Sequence, residues 1–151
     1  MPNWLQLETD VTTWLETFQT EMISYRNPHQ AILGFPTDGF RSDGMLADTK
    51  TLLAVEIEAT QMNPDTNVGK YWLLHQMKQY LKIILFHVYT PEFKSYPWRK
   101  KLGEFYVEKM RPEVPIDYVL LDYRSATDYD ATKNEIKKLI HVRLRQEFGL
   151  N

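Results

Sequence analysis

The sequence predicts an α/β fold of three layers, a mixed central β-sheet flanked by helices, and three features of the chain point to it. Residues 82–89 (KIILFHVY) and 114–123 (VPIDYVLLDY) are nearly continuous apolar runs, β-branched and aromatic, as in strands covered on both faces. A segment of helical character leads into each of them, over 66–81 and 98–110, which is the alternation that builds a layered α/β sheet. Residues 41–47 and 51–60, separated by a polar segment, read as a hairpin, so antiparallel strands join the parallel ones.

Length and composition agree. A chain of 151 residues, 43% hydrophobic and 25% charged, is long enough for one domain (1–151) with a real core, and is unlike a disordered one. The sequence contains no cysteine, so neither a disulfide framework nor a thiol nucleophile is available. No apolar run approaches the roughly 20 residues that span a bilayer, and the N-terminus lacks a signal pattern, so a cytoplasmic location without membrane partners is expected. A formal charge of −2 predicts no general attraction to polyanions.

In chain order, residues 9–22 read as an amphipathic helix whose stripe is Val11, Leu15, Phe18 and Met22. Residues 30–35 read as a first strand. Pro36-Thr37-Asp38-Gly39 is a turn, because Pro pre-sets φ and Gly tolerates the closing conformation; Asp38 there bonds its own backbone. The hairpin follows. With Thr49 and Lys50 at its turn, facing residues sum to 99, so Asp43 faces Glu56, and Glu58 lies diagonally on the same side. The opposite side carries Leu46, Leu53, Val55, Ile57 and Ala59, an apolar row that fixes the register. Next come a helix over 66–81 with the face Tyr71, Leu74, Met77 and Leu81, the strand 82–89, a helix over 98–110, the strand 114–123, and a helix over 130–148. That last helix buries Ile136, Ile140, Leu144 and Phe148 and displays Lys133, Lys137, His141 and Arg145.

Asp43, Glu56 and Glu58 are the candidate site. Met45, Ala47, Leu52 and Ala54 share their face, which marks that face as covered and the acids as recessed. Three carboxylates so placed repel one another unless a cation lies between them, and hard oxygen ligands favour Mg²⁺, Mn²⁺ or Ca²⁺ over Zn²⁺. The backbone carbonyl of Ile57 is a further oxygen donor. His87, in an apolar strand, reads first as a satisfied core residue; its position near the sheet's C-terminal edge also suits orienting a phosphate or a water. His29, His75 and His141 show no zinc spacing, and no glycine-rich phosphate loop is present.

Asp43 followed by Glu56-Ile57-Glu58 resembles the signature of the PD-(D/E)xK nuclease superfamily, over roughly residues 4–123. The resemblance implies a restriction-endonuclease-like αβββαβ core with C-terminal elements added, Mg²⁺ or Mn²⁺ as cofactor, and hydrolysis of DNA phosphodiester bonds. Two departures stand out: Glu58 replaces the usual Lys, a variant shared by some restriction enzymes, and Ser42 replaces the usual Pro. In several branches the lysine comes from the following helix, and Lys70 is the match. Some members add an acid from the first helix, for which Glu8, Glu16 and Glu21 are candidates. The resemblance implies that Asp43 and Glu56 hold metal, that Glu58 holds a second ion or orients water, and that Lys70 stabilises charge on the phosphate. A duplex cutter would need two sites and hence a homodimer. The alternative is an inactive domain of the same fold that binds nucleic acid or a protein.

Residues 93–101 (FKSYPWRKK) interleave aromatics with cations, a composition suited to phosphate contact and base stacking. Lys94, Tyr96, Trp98, Arg99, Lys100 and Lys101 are the candidate DNA contacts.

Overall fold

A computed structural model describes residues 2–60, 63–94 and 96–151. Its elements in chain order are α1 (Gln6–Glu16), β1 (Ser24–Arg26), β2 (Gly44–Ala47), β3 (Thr51–Glu58), α2 (Thr66–Met77), β4 (Lys82–Tyr89), α3 (Pro97–Met110), β5 (Ile116–Asp122) and α4 (Tyr129–Phe148). The five strands lie in the order β1-β2-β3-β4-β5. β1, β2 and β3 pair antiparallel, and β3, β4 and β5 pair parallel.

The two faces of the sheet bury separate cores, and this makes the three layers. Leu46, Leu53, Val55 and Ile57 point with Ile84, Phe86 and Val88 toward α1 and α4, which answer with Leu7, Val11 and Leu15 and with Ile136, Ile140 and Leu144. Met45, Ala47, Leu52, Ala54, Ile83 and Leu85 point the other way, onto Val68, Tyr71 and Leu74 of α2 and Val107 and Met110 of α3. Strands covered on both sides need apolar residues at every position, and β3 is buried from end to end.

The hairpin has the expected register, with Gly44↔Val55, Met45↔Ala54, Leu46↔Leu53 and Ala47↔Leu52 as facing pairs. The turn is held by Asp48, whose Oδ1 accepts from the amides of Lys50 (2.8 Å) and Thr51 (2.7 Å). The ladder ends at Gly44, however, so Asp43 faces the end of β3 without pairing to it.

Four element boundaries differ from the sequence expectation, each for a local reason. Residues 30–35 are irregular: Gly34 turns the chain at φ 120°, and a Cβ there would lie 2.9 Å from Leu74 Cδ1, so the segment packs against α2 and forms only isolated bridges. The first strand is instead Ser24–Arg26, paired to β2. α1 ends at Glu16 because the chain reverses over 17–23, where Thr20 Oγ1 accepts from the amides of Met22 and Ile23; Met22 is thereby left 80% exposed instead of in the buried stripe. α2 ends at Met77, where Lys78 is extended, and Tyr80 takes the core position expected of Met77 and Leu81 by donating to the Leu33 carbonyl at 2.6 Å. α4 starts on Asp128, whose side chain accepts from the Ala131 amide, and stops at Gly149 in the left-handed region (φ 66°). Three residues of its basic stripe lie along α1, where Lys133 pairs with Asp10 and also with Asp130, Lys137 covers the Trp14 ring and His141 packs on Trp14 and Phe18, while Arg145 is exposed. Among the described residues no helix is long and apolar enough to cross a membrane.

Candidate functional site

The acids gather where β2 stops short and β3 runs on. Beyond Gly44 the chain no longer pairs with β3, so the free Ile57 amide is taken by a side chain, donating to Asp43 Oδ2 at 2.6 Å. In a strand the amide and carbonyl of one residue leave on the same edge, which directs the Ile57 carbonyl toward Asp43 as well. Glu56 and Glu58 alternate with Ile57 and so point to the other face, under α2 and α3.

α2 supplies the partners. Asn67, Lys70 and Tyr71 stand at i, i+3 and i+4, one face of a helix. Lys70 Nζ donates to Glu56 Oε1 (2.6 Å), to the Arg41 carbonyl (2.6 Å) and to Asn67 Oδ1 (3.1 Å), while Tyr71 donates to the same Glu56 oxygen at 2.7 Å. The lysine of the helix thus reaches back to the strand end. The ion pair and its side-chain partners Asn67 and Tyr71 are buried, Lys70 at 5% exposure and Glu56 at 1%.

Glu58 is held by a different set of groups. Asn67 Nδ2 donates to its Oε1 at 2.6 Å, and His87 Nε2 lies 2.8 Å from the same atom. His87 Nδ1 in turn shares a hydrogen bond of 2.7 Å with the Tyr118 hydroxyl, and Tyr118 bonds to Tyr89. The parallel register sets Glu56 beside His87 and Glu58 beside Tyr89, so the His87–Glu58 contact runs diagonally across the two strands. Glu58 Oε2 is buried and has no hydrogen-bond partner among the described residues.

Electrostatics separate the two acids further. Burial pushes the Asp43 carboxyl up to about 8, and the nearby charges of Glu56 and Glu8 push in the same direction, against the Ile57 amide and Lys70. Glu56 is raised by burial, opposed by Lys70. Glu8, half-buried on α1, is raised by burial and then by Glu56. Of the three acids considered on the first helix, Glu8 therefore stands by the site, while Glu16 and Glu21 are exposed.

The oxygens of Asp43, Glu56, Glu8 and the Ile57 carbonyl are the donor types that Mg²⁺ or Mn²⁺ takes, and the unpartnered Glu58 Oε2 is another. Among the described residues, however, no three His, Asp or Glu side chains are close enough to form a ready-made metal group. Asp43 and Glu56 are neighbours, whereas Glu58 is drawn aside to His87. An ion at Asp43 and Glu56 would have to share Glu56 with Lys70.

Of the basic segment, Lys94, Tyr96, Trp98, Arg99 and Lys101 are exposed and Lys100 is half-buried; Ser95 lies outside the described residues. Phe93 is core, stacked on Tyr89 at 4.5 Å. Arg99 Nη1 reaches Asp65 Oδ1 at 3.2 Å, and Lys100 Nζ sits 6.0 Å from the Tyr89 ring, so the segment adjoins the site through the first turn of α2 and the end of β4. Asp38 is exposed on its turn.

Residue reading alone did not single out Asn67, Tyr71 as a polar partner, or Tyr118. The spacing of Asn67, Lys70 and Tyr71 was visible in the chain. Tyr118 carried no such signal, because its partner lies on another strand. Comparison with protein-family models, with curated proteins and with solved structures finds no match to this chain.

Proposed function

We propose that the protein is a metal-dependent phosphodiesterase that hydrolyses DNA, built on a restriction-endonuclease-like core. The observation that supports this reading is the meeting of Asp43, Glu56 and Lys70 at one strand end, where Asp43 takes the Ile57 amide at 2.6 Å and Lys70 takes the Glu56 carboxylate at 2.6 Å. Burial, with the charge of Glu56 beside it, raises the Asp43 carboxyl, and a bound cation would relieve that penalty.

In this reading Asp43 and Glu56 hold the ion, with the Ile57 carbonyl and Glu8 beside them. Mg²⁺ or Mn²⁺ bound there supplies charge neutralisation on the scissile phosphate and lowers the pKa of a water. Lys70 keeps its ammonium at the strand end, where a phosphate oxygen gains negative charge in the transition state. Glu58, fixed by Asn67 and His87, orients the water or takes part in a second ion site through its free oxygen. Tyr71 and Asn67 hold Glu56 and Lys70 in place.

One observation favours a second reading. Lys70 already bonds Glu56, and His87 with Asn67 already bond Glu58, so the fold has internal partners for both acids. An inactive domain that binds nucleic acid or a protein would keep just these contacts. Incubation of plasmid and single-stranded DNA with the protein in Mg²⁺ or Mn²⁺ separates the two. Cutting that EDTA stops and Asp43→Asn abolishes is the expected result; intact DNA under every condition would select the second reading.

A further inference from the structure

The exposed face of α3 is the most unusual surface of the molecule. Trp98, Lys101, Leu102, Phe105 and Lys109 follow one another at helical spacing on one side, opposite the buried Gly103, Val107 and Met110. Trp98 is 75% exposed and Phe105 52%. Each ring is paired with a cation: Lys101 Nζ lies 4.5 Å from the Trp98 centroid and Lys109 Nζ 5.4 Å from that of Phe105. Neither lysine has an acidic partner at ion-pair distance among the described residues, although Glu104 and Glu108 share the helix. Beside Phe105, between α3 and the edge strand β5, lies a cavity of about 450 Å³ walled by Phe105 and Leu120, with Arg111, Glu104, Glu108 and the Tyr118 side chain as its polar groups.

Large exposed rings beside cations that have no acidic partner make a surface suited to a polyanion that carries flat rings of its own. An unpaired nucleobase covers a ring, and its phosphate takes the cation. Bases inside a duplex have no free face to offer. Seven residues separate Trp98 from Phe105, about 10 Å of helix, which is the span of a few nucleotides of a stacked single strand. The cavity beyond Phe105 falls within the roughly 300–1,000 Å³ range of small-ligand sites and has polar groups for a base edge. The row begins beside the catalytic candidates, since Arg99 holds Asp65 at the start of the helix that carries Asn67 and Lys70.

We propose that this face binds single-stranded DNA, with bases stacked on Trp98 and Phe105 and phosphates held by Lys101 and Lys109. The inference rests on the phosphodiesterase reading for its substrate and makes that substrate a single strand, which one catalytic site can cut without the dimer that a duplex would require.

The test is fluorescence anisotropy with a labelled oligothymidylate and with a duplex of the same length, in EDTA so that nothing is cut. The single strand should bind at least about tenfold more tightly than the duplex, and Trp98→Ala and Phe105→Ala should each weaken it by about tenfold or more. Trp98→Phe and Phe105→Tyr should restore most of the affinity, and Lys101→Ala and Lys109→Ala should each reduce the dependence on salt. Equal or tighter duplex binding, or alanine variants that melt like the parent and bind within twofold of it, would overturn the proposal. Trp98-dependent binding by a protein that cuts nothing would overturn the phosphodiesterase reading and leave this one standing.

Discussion

Glu56 and Glu58 are two residues apart on one strand, both buried, and both face α2, yet their surroundings are opposite in kind. Glu56 sits among other acids and meets a lysine; Glu58 sits among an amide, an imidazole and, through it, two phenols. The Glu56 side pairs a carboxylate with an ammonium beside a second buried acid, and the Glu58 side is a hydrogen-bonded chain. The difference teaches that burial alone does not make a cation site. What distinguishes Glu56 is its ion pair with Lys70 and its neighbour Asp43, whereas Glu58 bonds Asn67 and His87, the latter two residues before its own register partner Tyr89.

The comparison breaks most visibly at Lys70. Replacing it with Met strips the ammonium from a buried carboxylate that already has acidic neighbours, and should cost about 3–5 kcal/mol in denaturant unfolding. Adding Glu56→Gln should recover much of that loss. On the other side, His87→Phe removes one of two partners of Glu58 Oε1 and should cost less, about 2 kcal/mol, because Asn67 remains. Equal losses at the two positions would mean that the two acids are held alike.

The pH dependence sharpens the contrast. Asp43 titrates at 3.8 when unfolded and at about 8 when folded, so between those values the folded state binds the extra proton. Stability therefore falls as pH rises through that window, by at most about 1.4 kcal/mol per unit from this group. Asp43→Asn keeps an acceptor for the Ile57 amide and removes the proton, so it should flatten the slope and gain stability at the alkaline end. Melting curves at several pH values check this. Trp98→Ala, at an exposed site far from either acid, should change stability by less than about 0.5 kcal/mol whatever it does to binding.

Much of this was legible in the chain, and the failures have physical causes. The hairpin register could be read because the tight polar turn at Thr49 and Lys50 fixes which residues face each other, and β4 matched residue for residue because its composition has no polar interruption before His87. The strand Ser24-Tyr25-Arg26 was invisible: three residues carry no periodicity, and their pairing is decided by β2. The apolar run around Ile32 looked like a strand because a sequence does not show that Gly34 turns the chain toward α2. At the site, Asp43 and Glu56 were found from the hairpin spacing, and Lys70 from the resemblance to branches that take their lysine from the following helix. The diversion of Glu58 to His87 was not, since it depends on which residues two parallel strands set side by side. That Glu8 stands by the site depends in the same way on how α1 lies across the sheet.

The most direct measurement is a calorimetric titration with Mn²⁺ of the parent protein, of Asp43→Asn and of Glu58→Gln. Binding by the parent, loss of that binding in Asp43→Asn and its retention in Glu58→Gln are expected, because Asp43 and Glu56 meet at the strand end while Glu58 is held by Asn67 and His87. Binding that survives Asp43→Asn, or a parent protein that takes up no ion at all, would contradict the proposed ion site.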